Sequence, residues 1–189
     1  MAETIKGINV VIGAETTGLS KALADVDKKS KSIQSELKQV EKLLKFDPSN
    51  VEAIAQKQKL LTEQIEATTE RLNRLKAVEQ QVQEQFQRGD ISEAQYRAFR
   101  REIEFTQSAL EKLRTELAAM EQEQQRVAIS TKQLETLFAA TGKSVDDFAD
   151  VLGDKLANAI KSGKASADQL DQAIEKIAQA ALGANVDLE

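Results

Sequence analysis

The chain has no cysteine, no histidine and no tryptophan, one proline among 189 residues, and an aromatic fraction of 4%. Without cysteine there is neither a disulfide framework nor a thiolate site, and without histidine there is no imidazole base or imidazole metal ligand. These absences remove most hydrolase, oxidoreductase and zinc-site readings, so no enzyme, cofactor or metal is expected. Scarce aromatics leave little material for a deep pocket, whereas 41% hydrophobic and 30% charged residues suit long solvated helices that bury seams. No apolar run approaches the roughly 20 residues needed to cross a bilayer, and Met1-Ala2-Glu3-Thr4 is not a basic region leading into an apolar one. A soluble chain without a membrane segment or export signal is expected. The closing Leu188-Glu189 reads as a cloning remnant, so the chain is expected to be a fragment of something longer.

The net charge of -5 is unevenly spread. Residues 17–46 hold seven basic and four acidic side chains (+3), and residues 130–189 hold six basic and ten acidic (-4). An acidic chain with one mildly basic helix lacks the concentrated positive footprint that nucleic acids require. Lys28, Lys29 and Lys31, like Arg97, Arg100 and Arg101, sit among carboxylates, and complementary charge between helices is their expected use.

What the chain does have is a 4,3,4,3 rhythm of apolar residues, interrupted twice. The first run carries Leu23, Val26, Ile33, Leu37, Val40 and Leu44; the second Ile54, Leu61, Ile65, Leu72, Leu75 and Val82; the third Phe99, Ile103, Leu110, Leu113 and Leu117. Ser30, Gln58, Thr68, Glu79 and Thr106 also fall at seam positions. Two apolar positions in seven specify helices packed side by side along their length. Asp47-Pro48-Ser49-Asn50 makes the first interruption, because proline cannot continue the helical ladder, and Ser49 with Glu52 forms a capping box that restarts a helix at Asn50. Gly89 makes the second, followed by a Ser92 and Gln95 box with Ile91 placed to staple onto Tyr96. Short connections at Pro48 and Gly89 predict reversals and antiparallel neighbours, with helices near residues 19–44, 50–87 and 92–127; because Leu44 and Val51 keep the seam in phase, a kinked continuous helix through Pro48 is the alternative there.

The ends differ from this middle. Ile8, Val10 and Ile12 alternate within a β-branched run flanked by Gly7 and Gly13, which predicts a short strand. No second strand is evident, so its ladder groups must be paired by another chain, or the segment packs as irregular extended peptide. Towards the C-terminus the apolar pattern runs through Val127 and Leu134 to Phe138 and ends at Gly142. Ser144 then caps a face of Val145, Phe148, Leu152 and Leu156, interrupted by Gly153 and stopped near Gly163. Ser166 with Gln169 caps Leu170, Ile174, Ile177 and Ala181, with Gly183 as the stop. These helices are too short to stand alone, so they pack together or dock on a partner. The fold class expected is mainly α: long antiparallel coiled-coil helices, one short N-terminal strand and a C-terminal set of short helices. Residues 1–16 are the extended segment, 17–130 the long helical region and 131–189 the short-helix module.

One catalytic pattern almost forms. Gly13-Ala14-Glu15-Thr16-Thr17-Gly18-Leu19-Ser20-Lys21 has the glycine spacing of a phosphate-binding loop, but Leu19 stands where the phosphate-contacting lysine belongs. A strand-to-helix turn using two glycines is the reading adopted. Asp146 with Asp147, and Glu102 with Glu104, read as first-turn or solvated-face charges rather than acid/base pairs.

Several segments together resemble a known family. Ile5-Lys6-Gly7-Ile8, Gly18-Leu19-Ser20-Lys21-Ala22-Leu23, residues 37–44, Asp47-Pro48-Ser49-Asn50-Val51-Glu52-Ala53, Gly89-Asp90-Ile91-Ser92-Glu93-Ala94-Gln95-Tyr96 and residues 144–153 are similar to the N-terminal region of phage tail tape-measure proteins, including prophage copies. The resemblance covers nearly the whole chain, and the two turn motifs at these spacings carry it more than the heptads do. Members of that family are much longer, so the likeness is to their front end. It implies a structural protein of viral tail assembly that fixes tail length, around which tail-tube subunits polymerise. It also implies residence in the tail interior of the virion, with assembly in the host cytoplasm. The implied partners are the chain itself as a homo-oligomer and the tail-tube, tail-initiation and tail-assembly chaperone proteins, with no small-molecule substrate. The competing expectation is a generic bacterial coiled-coil scaffold or secreted helical effector.

Overall fold

The computed structural model describes residues 5–186; Met1 to Thr4 and the Leu188-Glu189 pair noted above lie outside them. The chain is mainly helical and opens with a β-hairpin. In order it runs β1 (Asn9–Ile12), β2 (Glu15–Gly18), α1 (Leu19–Ala22), α2 (Ala24–Phe46), α3 (Val51–Ala77), α4 (Glu79–Arg88), α5 (Glu93–Thr141), a 3-10 turn (Asp146–Phe148), α6 (Ala149–Leu152), α7 (Asp154–Lys161) and α8 (Ala167–Val186).

Two compact units divide the chain: Met1–Lys45 with Ala55–Leu117, and Phe46–Ile54 with Ala118–Glu189. In the first, the long helices run antiparallel as predicted. Asp27 meets Arg71, Ser30 meets Gln64 and Glu41 meets Lys57, so numbers rise along α2 as they fall along α3. Lys57 to Glu116, Arg71 to Glu102 and Glu79 to Arg100 give the same relation between α3–α4 and α5. The seam residues Leu23, Leu72, Leu75, Val82, Phe99, Ile103 and Leu110 form one core with Ile8, Val10, Leu19, Val78 and Ile91.

The expectation that the N-terminal strand needs another chain is overturned. β1 pairs antiparallel with β2, Val10 opposite Thr17 and Ile12 opposite Glu15. Gly13 takes φ +63 and no non-glycine among the described residues has positive φ, so Gly13-Ala14 is a two-residue turn of the type with glycine first. Glu15-Thr16-Thr17-Gly18 carries no large apolar residue, which hid it; its threonines are nevertheless β-branched and suit a strand. Gly13 therefore belongs to a hairpin turn, while Gly18 ends β2 and caps α1 at the strand-to-helix junction. Ile8 and Val10 are buried, whereas Ile12, beside the turn, is 50% exposed.

Other boundaries moved for local reasons. Asn50 rather than Ser49 caps α3: its Oδ1 accepts from the Ala53 amide at 2.9 Å, while the Ser49 hydroxyl donates to Asp47 at 2.7 Å. The Ser92/Gln95 and Ser166/Gln169 boxes form reciprocally as expected. The third helix continues unbroken to Thr141, where Gly142 at φ +65 ends it. Gly183 does not stop α8, because it keeps negative φ and the ladder passes through it.

In the second unit, Leu134 of α5 joins Phe148, Leu152, Leu156, Ala157, Leu170, Ala173 and Ile177 in a separate core. The short helices thus bury their faces on one another and on the end of α5.

Candidate functional site

Three of the polar seam positions lie in or beside a substantially buried charged cluster. Arg71 on α3 donates through Nε to Asp27 on α2 at 2.8 Å, through Nη2 to Glu102 on α5 at 2.9 Å, and through Nη1 to the Thr106 hydroxyl at 2.6 Å. The Thr106 hydroxyl itself donates to the Glu102 backbone carbonyl at 2.6 Å. The Glu102 side chain is only 9% exposed and that of Arg71 17%, so the guanidinium is a planar fork clamped by carboxylates from two helices. Next along the bundle, Gln64 Nε2 donates to Ser30 Oγ at 2.6 Å and the Thr68 hydroxyl donates to the Gln64 carbonyl at 2.7 Å. Three helices meet in this layer, and fixing register is the best-attested use of buried polar groups in a bundle. Arg71 itself was not singled out from sequence; Ser30, Thr68 and Thr106 at seam positions lie in this layer, but Gln58 and Glu79, also at seam positions, do not.

A second arrangement closes the hairpin. The outward-facing N–H and C=O of Val11 on β1 are both met by the Gln81 side-chain amide from α4, at 2.8 and 2.9 Å, and Gln85 donates to the Asn9 carbonyl at 2.6 Å. Two glutamines thus take the place of a third strand. Below the hairpin, Gly7 at φ +86 lies so close to Gln95 that an added Cβ would sit 2.8 Å from its Nε2, and Gln95 also donates to the Lys6 carbonyl at 3.3 Å.

The remaining seam residues are placed as follows. Val26, Ile33, Leu37, Val40 and Leu61 are buried; Leu44, Ile54, Ile65, Leu113 and Leu117 are half-buried. Pro48 and Gly89 both lie at reversals, the latter with φ +79. Tyr96 stacks on Phe86, ring centroids 4.6 Å apart.

In the second unit Arg126 binds Asp168 and Asp171 at 2.7 and 2.9 Å, and the Ser130 hydroxyl donates to Asp171 at 2.5 Å. That hydroxyl first, and Arg126 next, hold the Asp171 carboxyl below its ordinary value. Asp147 is likewise lowered by hydrogen bonds from Ser144, a turn-stabilising role. Two surface hollows are open ones, along α4 by Gln80 and Gln83 and between α2 and α3 by Leu43 and Leu60. Among the described residues there is no grouping of acidic residues that could hold a metal ion and no helix long and apolar enough to cross a membrane. The geometry holds neighbouring helices together and presents charged faces. No family model, curated protein or solved structure matches the chain.

Proposed function

We propose that this chain is the N-terminal assembly region of a tape-measure protein and that it acts by presenting helical faces to its own copies and to tail-initiation, tail-tube and chaperone proteins. The resemblance of the turn-bearing segments around Pro48 and Gly89 carries the reading. A straight helix converts chain length into distance at about 1.5 Å per residue, which is how a ruler would work. Helices that reverse at Pro48 and Gly89 forfeit that conversion, which supports an end structure that caps or docks the ruler. The role is non-enzymatic on this reading, consistent with a chain lacking histidine and cysteine.

The test is an in-frame deletion of two heptads from α2 together with the matching two from α3, in an otherwise intact phage. Tails that fail to initiate or assemble are expected. Shortening by about 1.5 Å per deleted residue would make these helices part of the ruler instead. Normal tails of normal length would leave the coiled-coil scaffold reading ahead.

A further inference from the structure

We propose that the outward face of α2 is a docking surface for an acidic helix of a partner protein. Lys28, Lys31, Lys38, Lys42 and Lys45 are spaced three, seven, four and three residues apart, so they form one stripe, turned away from the buried Val26, Ile33, Leu37 and Val40. The stripe is about 26 Å long at about 1.5 Å per residue. Each of these lysines is exposed, and among the described residues none makes an ion pair.

The carboxylates that could neutralise them are occupied elsewhere. Of the four on α2, Asp25 is bound by Arg74, Asp27 by Arg71 and Glu41 by Lys57, all from α3; Glu36 alone is left. Glu41 and Lys45 stand at the spacing of a helical ion pair, yet Glu41 turns towards α3. The bundle therefore consumes the negative charge of α2 and leaves its positive charge outside. Like charges at this spacing repel, and an anionic partner would relieve that cost.

The period selects the partner. A second helix with carboxylates at the same three-and-four spacing matches the stripe along its whole length, as in the flanking positions of coiled coils. A nucleic acid fits less well: the stripe carries no arginine or aromatic, and the net charge of -5 repels a polyphosphate beyond it. Binding through exposed charges is modest in affinity and sensitive to salt. The same face would serve a coiled-coil scaffold, so this binding result and the tail-assembly result are independent.

The experiment uses the full chain and three fluorescent probes in anisotropy titrations: a helical peptide of about three heptads with glutamates on one stripe, an isomer with the glutamates scattered, and a duplex DNA of equal length. The striped peptide should bind at least about tenfold more tightly than its isomer, and weaken as salt rises from about 0.05 to about 0.3 M. A variant with Lys28, Lys31, Lys38 and Lys42 all changed to Glu should lose binding while keeping its thermal melt; a fourfold change to Gln gives the same test if the first variant misfolds. Equal affinity for both peptides, no binding, or unchanged binding by the variants would overturn the proposal. Tighter binding of the DNA would reassign the face to nucleic acid, and salt-sensitive self-association abolished by the same substitutions would reassign it to a second copy.

Discussion

Arg71 joins three helices through one side chain, and its worth lies in what its removal strands. Arg71→Ala leaves the Glu102 carboxylate buried without a cation, and should lower unfolding stability by about 3 to 5 kcal/mol in urea denaturation. Replacing Arg71, Glu102 and Asp27 together by leucine should recover most of that loss, because well-packed apolar groups need no partner. The triple variant should also relax register, visible as broadened amide signals around α3. Little of this layer was legible from sequence. Thr68 and Thr106 fell on seam positions, as did Gln58 and Glu79 outside this layer, and Arg71 lies one residue before Leu72, where the heptad rhythm assigns it to the flank. Its long stem lets the charged head reach inward from there, and residue spacing does not encode that reach.

At the scale of elements, the breaks at Pro48 and Gly89 and two of the capping boxes were legible, because proline chemistry, positive φ and reciprocal caps are local. The hairpin was half legible. Val10 announced β1 through alternation, but Thr16 and Thr17 gave no apolar signal for β2, and the glutamines that finish the sheet lie on α4. With Gln81 gripping both polar groups of Val11, the amide proton of Val11 should exchange slowly although it sits on the outer edge of a two-stranded sheet. Gln81→Ala should speed exchange at Val11 by about tenfold or more while Val10, bonded within the hairpin, changes little. Equal exchange at Val11 in both proteins, measured by NMR, would mean that solvent already competes for that edge.

For the whole molecule, carboxylates held by hydrogen bonds in turns and between helices make acid the natural denaturant. Hydrogen bonding from Arg74 lowers Asp25, the Ser49 hydroxyl lowers Asp47, Ser144 lowers Asp147 and the Ser130 hydroxyl lowers Asp171, each from an ordinary 3.8. A carboxyl lowered in the folded state binds its proton more readily when unfolded, so it contributes stability above the unfolded value, which is lost as pH falls through the folded one. Thermal stability should therefore hold steady from neutral pH down to about 5 and decline below about pH 4. Asp171→Asn should flatten part of that decline, and Ser130→Ala should do so to a smaller degree. A melting temperature that rose on acidification would contradict the sign of all four shifts.

The glutamine clasp also carries a schedule. Val11 and Gln81 lie 70 residues apart, so a ribosome adding about 5 to 20 residues per second leaves the outer edge of β1 bare for roughly 4 to 14 seconds after it is made. During that interval a nascent chain displays an open β-edge with Val11 and Ile12 beside it, and neighbouring chains on one message display the same edge. Mispairing between siblings during translation is thus a hazard for this protein, and the moment at which α4 is synthesised ends it.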